Sequence, residues 1–221
     1  MEYFMIAVMH DALPYLIRGT LVTLQIAFFS SLIGFFGGTL LGFIQTSSNS
    51  LLRFLVTIYV TIFRGTPMLI QIPFFYYLLP EIGIELSLFA TAVVAIGLNS
   101  MAYISQIVRS GIVSIGKGQR EAAHVLGFSS WQTMRYILFP QAIRTVVPAL
   151  LNEFITLIKD SSLASTIGVV ELFKEGTIII SRTYAVIPVY CAIALIYLTL
   201  TTALSCVAAV IERRMNKHAH H

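Results

Sequence analysis

Four ionisable side chains, Arg64, Glu153, Lys159 and Asp160, sit inside long apolar runs. At mid-bilayer each would cost at least ~2.5 kcal/mol if left unpaired, so an intramembrane charge is read first as a functional group. Glu153 and Asp160 are two helical turns apart and share a face, with Thr156 between them and Asn152 at the edge. Two carboxylates in one stripe suit a cationic group. A second polar stripe, Asn99, Tyr103 and Gln106, recurs at i, i+4, i+7 in another apolar run. Two such stripes on neighbouring helices line one cavity. The stretch FRGTPMLIQ (63–71) offers different chemistry. Gly65 and Pro67 break a helix mid-run, and proline suits the first position of a new helix, with Thr66 as its cap. The free amides opening that half-helix, near Thr66 to Leu69, form a site for an anion such as a carboxylate, with Arg64 beside it. Tyr103 and Met68 can pack on the aliphatic part of a bound molecule, although ordinary packing is the plainer reading. The competing account is an internal network in which Arg64 and Lys159 neutralise Glu153 and Asp160. Lys159 adjoins Asp160, so their side chains diverge by about 100° around a helix.

The elements that must hold these groups are set by composition. Of 221 residues, 57% are hydrophobic and 11% charged, where a soluble domain has about 25% charged. Lipid is therefore the solvent for most of the chain. Five apolar segments emerge, roughly 15–45, 51–79 (broken at 64–67), 86–110, 141–166 and 185–211. Each exceeds the ~20 residues a helix needs to cross a bilayer, and none alternates as a strand would. The fold class expected is an all-α membrane protein of five transmembrane helices in one domain, 1–217. No internal repeat and no second domain is seen. Gly34, Gly37, Gly38 and Gly42 in the first span read as sites of close helix approach rather than ligand contact. Cys191 and Cys206 lie in one run, about 22 Å apart if helical, too far to bond. The start of the chain lacks a basic n-region and a small-residue cleavage site, so no cleavable signal is expected. The final HAHH, 218–221, reads as the remnant of a histidine tag.

Charge between the spans gives orientation. One set of connections carries Arg53, Arg109, Lys117, Arg120, Arg135, Arg144, Arg213, Arg214 and Lys217 against Glu121 and Glu212. The other carries Arg18, Lys174 and Arg182 against Glu2, Asp11, Glu81, Glu85, Glu171 and Glu175. The positive-inside rule puts the first set in the cytoplasm, with the N-terminus outside and the C-terminus inside. The net charge of +4 thus encodes orientation, not nucleic-acid binding.

Between the third and fourth spans lies EAAHVLGFSSWQTMRYILFP (121–140). Residues 119–138 read as helix, turn, helix. Ala122, Ala123, Val125 and Leu126 give the first piece an apolar face, and Gly127 tolerates the left-handed conformation at a helix end. Ser129 or Ser130 can cap the second piece, and Pro140 lets the chain turn into the fourth span. By pattern alone such a knob either lies on lipid headgroups or docks a partner protein.

Glu121-Ala122-Ala123, Gly127, Ile137 and Pro140 carry a resemblance to the EAA loop of ATP-binding-cassette importer permeases, with Phe139 where the family usually has leucine. FRGTPMLIQ resembles the second-span motif of the polar amino-acid branch, and NEFITLIKDSSLAS (152–165) its fourth-span motif. The resemblance covers most of residues 14–212. It implies the type I importer fold and the membrane subunit of an amino-acid uptake system in the bacterial cytoplasmic membrane, multi-pass, working by alternating access. The implied partners are two ATPase subunits, a second permease subunit (identical or homologous) and an extracytoplasmic amino-acid-binding protein. Glu121, Ala122, Ala123 and Gly127 then belong to coupling helices seated in the ATPase. No cofactor is expected in this chain: it lacks a G-x-x-x-x-G-K-[ST] loop, so ATP and Mg belong to the ATPase. On this reading Glu153, Asp160, Asn99, Tyr103, Thr66, Met68 and Thr156 bind substrate, and the paired carboxylates favour arginine, lysine or histidine over a neutral polar amino acid such as glutamine. Glu81, Glu85, Glu171 and Glu175 are candidates for docking the delivery protein.

Two other classes are weaker. An ATP-independent channel or carrier often shows internal repeats. A membrane enzyme wants a nucleophile–base pair or metal ligands, yet outside the tag only His10 and His124 remain, neither in a span. No catalytic or metal residue is assigned.

Overall fold

The computed structural model describes residues 2–217, apart from the side chains of residues 2–9, 117, 216 and 217. The tag reading at 218–221 lies outside them. Every described element is a helix: α1 (Glu2–Thr46), α2 (Ser50–Gly65), α3 (Met68–Glu81), α4 (Leu88–Val113), α5 (Lys117–Val125), α6 (Ser130–Gln132), α7 (Phe139–Asp160), α8 (Leu172–Thr183) and α9 (Val186–Lys217). Four stretches are long and apolar enough to cross a membrane, and α2 with α3 adds a fifth that is bent by 110°. The expected first span is the C-terminal part of a much longer helix that begins at Glu2.

The core forms where α1, α3, α4 and α7 meet, around Ile26, Ile72, Ala95, Ile96, Leu157 and Ile158. The outer faces stay apolar, as with Phe36 and Ile187, because hydrocarbon solvates them. Glycines set the α1–α4 contact. A Cβ on Gly38 would stand 2.7 Å from the Ile104 Cβ and 2.8 Å from the Met101 carbonyl oxygen, and one on Gly42 would stand 2.7 Å from the Val108 Cβ. Backbones this close exclude any larger residue, so the close-approach reading of these glycines holds. Cys191 and Cys206 are both free and exposed.

Two local expectations need correction. Thr66 does not cap the second half-helix: Pro67 holds the N-cap position, with no side-chain cap. The Thr66 hydroxyl instead donates back to the Ile62 carbonyl (2.9 Å). Pro140 does not turn the chain either. Residues Ser130–Asp160 run on without a turn through a π-helical stretch, Thr133–Leu138, in which the Phe139 amide bonds the Met134 carbonyl. Proline has no N–H and its ring clashes with the carbonyl four residues back; a wider turn relieves both without ending the helix.

The 3₁₀ stretch Ser161–Ile167 ends at Gly168, which has φ 94°. The chain then doubles back into α8. Glu171 is fully buried and caps α8, accepting from the amides of Phe173 (2.9 Å) and Lys174 (2.8 Å). The hydroxyls of Thr23 on α1 and Tyr197 on α9 donate to the same carboxylate. Burial pushes this carboxyl above its usual range, against the downward pull of those four bonds. Glu175 is buried too, whereas Glu81 and Glu85 are exposed. Glu171 and Glu175 are therefore structural and unavailable for docking; the apolar contacts of α8 with α1 and α9 draw them inside.

Candidate functional site

The break between α2 and α3 is locked by two amides. The Gln71 Nε2 lies within hydrogen-bond distance of the carbonyls of Phe63 (2.8 Å) and Thr66 (3.0 Å) and of the Thr66 hydroxyl (2.6 Å). The Asn99 side-chain nitrogen donates to the Phe63 carbonyl (3.1 Å) and to Gln71 Oε1 (2.9 Å). These bonds satisfy carbonyls that a broken helix would otherwise leave bare in an apolar medium. Gln71 was missed as a functional residue from sequence; its signal was the amide one turn beyond the proline in FRGTPMLIQ.

Beside this break is a cavity of about 430 Å³, within the roughly 300–1,000 Å³ usual for small-molecule sites. All seven residues expected to bind substrate line it: Thr66 and Met68 at the break, Asn99 and Tyr103 from α4, and Glu153, Thr156 and Asp160 from α7. Arg64, Gly65 and Pro67 complete the wall. The helix periods that set the two stripes therefore converge as spaced. Gln106 does not join them; it faces a neighbouring cavity. The nitrogen of Asn99 is committed to the lock, so it cannot also donate to a ligand.

No close ion pair holds the cavity charges. Among the described residues the only basic and acidic side chains within 4 Å of each other are the adjacent His10 and Asp11, far from the cavity in sequence. Arg64 does not bridge to a carboxylate: its Cζ stands 5.1 Å from the centroid of the Tyr103 ring, a cation–π contact. Lys159 is exposed and does not line the cavity. Glu153 accepts a hydrogen bond from the Ser100 hydroxyl (2.9 Å). The Thr156 hydroxyl is spent on the Asn152 carbonyl (3.1 Å). Met68 opens α3 without a side-chain cap, and this helix start lines the cavity together with Arg64.

A second cavity, about 510 Å³, adjoins the first through Arg64. Arg53, Thr57, Thr61 and Arg64 line it from one face of α2, with Gln106 and Arg109 from α4 and Gln45 from α1. Gln106 Nε2 donates to Gln45 Oε1 (2.7 Å). In sequence Arg53 and Arg109 read as orientation charges; the four-residue step from Arg53 to Thr57 and the three-residue step from Gln106 to Arg109 are the signal that they share a face with polar residues.

In the 119–138 segment, α5 ends at Gly127 (φ 80°), whose amide bonds the His124 carbonyl while the Phe128 amide bonds that of Ala123. Ser129 caps α6 in a reciprocal capping box with Gln132. Ala123 is buried, whereas Glu121 and Ala122 are exposed. Val125 (88% exposed), Leu126 (73%) and Trp131 (69%) present an apolar surface. The expected apolar face thus splits: Ala123 packs inward and the larger side chains point out.

A family described as "binding-protein-dependent transport system inner membrane component" matches residues 34–217. The glutamine transport system permease protein GlnP of Escherichia coli is 39% identical over 206 residues, 92% of this chain and 94% of that protein. A probable amino-acid ABC transporter permease, YckA, of Bacillus subtilis is 41% identical over 212 residues, 96% of this chain and 92% of that one. A crystal structure of an amino acid ABC transporter with histidines superposes at a TM-score of 0.89 with 36% identity, covering 93% of this chain and 96% of that one. An inward-facing structure of the MetNI methionine ABC transporter shares the fold at a TM-score of 0.75 and 23% identity, covering 92% of this chain and 97% of that one.

Proposed function

This chain belongs to the family of binding-protein-dependent transport system inner membrane components, and from that premise we propose that it forms the translocation pathway of an ATP-driven uptake system for a cationic amino acid. The observation that carries the substrate reading is the 430 Å³ cavity, which Glu153 and Asp160 line together with the start of α3, and among the described residues no basic group lies within 4 Å of either carboxylate. The α-carboxylate sits at the first amides of α3 beside Arg64. The cationic side chain and the α-amino group meet Asp160 and Glu153. Tyr103 and Met68 cover the aliphatic stem. The arginine-lined cavity beyond Arg64 is the release side.

The rest of the assembly follows the family. Two ATP-binding-cassette subunits hold ATP and Mg and seat the segment around Glu121, Ala122, Ala123 and Gly127. A second permease subunit, identical or homologous, completes the pathway, and an extracytoplasmic binding protein delivers the amino acid to the outer face, where Glu81 and Glu85 remain candidates. The N-terminus is outside and the C-terminus cytoplasmic. Closure of the ATPases on ATP rocks the two halves and exposes the cavity alternately to each side.

Glutamine is the second reading, favoured by the names of relatives such as the E. coli protein at 39% identity. A neutral substrate would meet Glu153 through its ammonium alone. Reconstitution with the ATPase and binding protein in liposomes decides, following uptake of labelled arginine, lysine, histidine, glutamine and glutamate with ATP inside. Preference for the cations supports the paired-carboxylate site. Preference for glutamine makes Asp160 a structural residue and leaves the uptake role standing.

A further inference from the structure

A third, quite different site lies at the junction of α1, α4 and α7. A slot of about 200 Å³ is walled by Phe35, Val108, Ile112, Ala142, Val146 and Leu150 among others, and is apolar but for Thr39. Its end at Phe43 and Phe139 is shared with an outer cavity of about 380 Å³, whose remaining walls are Trp131, Met134 and Arg135. The two adjoin at Phe43 and Phe139, so an apolar slot lies next to a cavity that carries Arg135.

The length of the slot matches one molecular class. From Phe139 to Leu150 the slot follows α7 for about 16 Å at the helical rise, the depth of one leaflet in a ~30 Å hydrocarbon core. The cavity that carries Arg135 includes an exposed tryptophan, the residue that marks the headgroup level. Arg135 has no carboxylate within 4 Å among the described residues, and a basic pocket between transmembrane helices is suited to an acidic headgroup. Phe35, Phe139 and Ile143 in the walls of the slot are themselves exposed.

We propose that this slot and the adjoining cavity hold an anionic glycerophospholipid, with its phosphate at Arg135 beside Trp131 and one acyl chain in the slot between α1, α4 and α7. The lipid would bridge the π-helical stretch, which leads directly from the 119–138 segment into α7, to the first helix.

The test uses the whole complex of permease and ATPase, equilibrated in micelles with equal phosphatidylglycerol and phosphatidylcholine, washed, and analysed for retained lipid by native mass spectrometry. The wild type should retain phosphatidylglycerol over phosphatidylcholine about fivefold, the factor expected for one basic residue at an anionic headgroup. Arg135→Gln should abolish that preference while keeping the complex assembled. Ile143→Trp, which fills the slot from an exposed wall position, should lower retention of both lipids. Equal retention of the two by the wild type, or an unchanged preference in Arg135→Gln, overturns the proposal. Loss of the ATPase from Arg135→Gln with lipid retention unaltered also overturns it, and assigns the arginine to the protein partner.

Discussion

At the scale of single residues, the two cavity carboxylates differ in how they are held. Glu153 is oriented by the Ser100 hydroxyl, and Ser100 is itself buried under Gly34. Asp160 lies at the end of α7 and has a freer position toward the ligand. In the proposed site it is the group that distinguishes a cationic side chain. Asp160→Asn is expected to weaken uptake of arginine about tenfold or more, the worth of one hydrogen bond to a charged group, and to affect glutamine less. Competition uptake in proteoliposomes measures the ratio, and equal loss for both substrates would assign Asp160 to structure. Arg64 belongs with Tyr103 by geometry rather than with either acid, so Tyr103→Leu should loosen Arg64 and raise the concentration needed for half-maximal uptake.

At the scale of elements, the irregular places are those held by side chains from elsewhere. The α2–α3 bend depends on Gln71 and Asn99, because no helix supplies partners for the Phe63 and Thr66 carbonyls. Gln71→Leu keeps the volume and removes the bonds; it should cost about 1–3 kcal/mol, the penalty for buried polar groups left unpaired. A lowered melting temperature of the purified complex, with binding-protein affinity unchanged, is the expected readout. The return into α8 depends likewise on Glu171. Glu171→Ala leaves two amides and the hydroxyls of Thr23 and Tyr197 without their acceptor. It should cost at least the ~0.5–2 kcal/mol of a lost helix cap. Thermal unfolding of the same complex tests it, with the exposed Glu81→Ala as the control expected to melt like wild type.

At the scale of the whole molecule, α1 and α4 form the most extensive helix contact, and in the proposed mechanism the 119–138 segment is the external handle. Nothing lies within 4 Å of a Cβ placed on Gly127, yet its φ is 80°. Backbone conformation, not side-chain bulk, makes glycine necessary there. Even Gly127→Ala is therefore expected to disturb the end of α5, by about 1 kcal/mol, and in the proposed mechanism to let ATP hydrolysis run without matching uptake. Measuring both rates in one proteoliposome preparation decides: a normal ratio would sink the coupling role. Gly38 gives the opposite case, since its Cβ would collide with Ile104 and the Met101 carbonyl. Gly38→Val should part α1 from α4 and prevent stable insertion altogether, read as loss of folded complex rather than loss of coupling.

The sequence by itself determined the solvent, the helical class, the break at 64–67 and the two polar stripes, because each follows from local composition or from the helical period. It also determined the helix stop at Gly127 and a cap at Ser129 or Ser130, which depend only on neighbouring residues; the structure selects Ser129. The tertiary structure decided what the polar groups spend their bonds on. Asn99 reads in sequence as a member of a binding stripe, but its nitrogen is taken by Phe63 and Gln71, which are distant in sequence and adjacent in space. Glu171 reads as a surface acid in a loop, yet packing of α8 between α1 and α9 buries it as a cap. Pro140 reads as a turn, but a π-helical widening absorbs it and keeps α6 and α7 in one run. Periodicity gives each helix its face. Only the packed bundle shows which face meets which, and hence whether a polar side chain is free for a ligand or already committed to holding the fold.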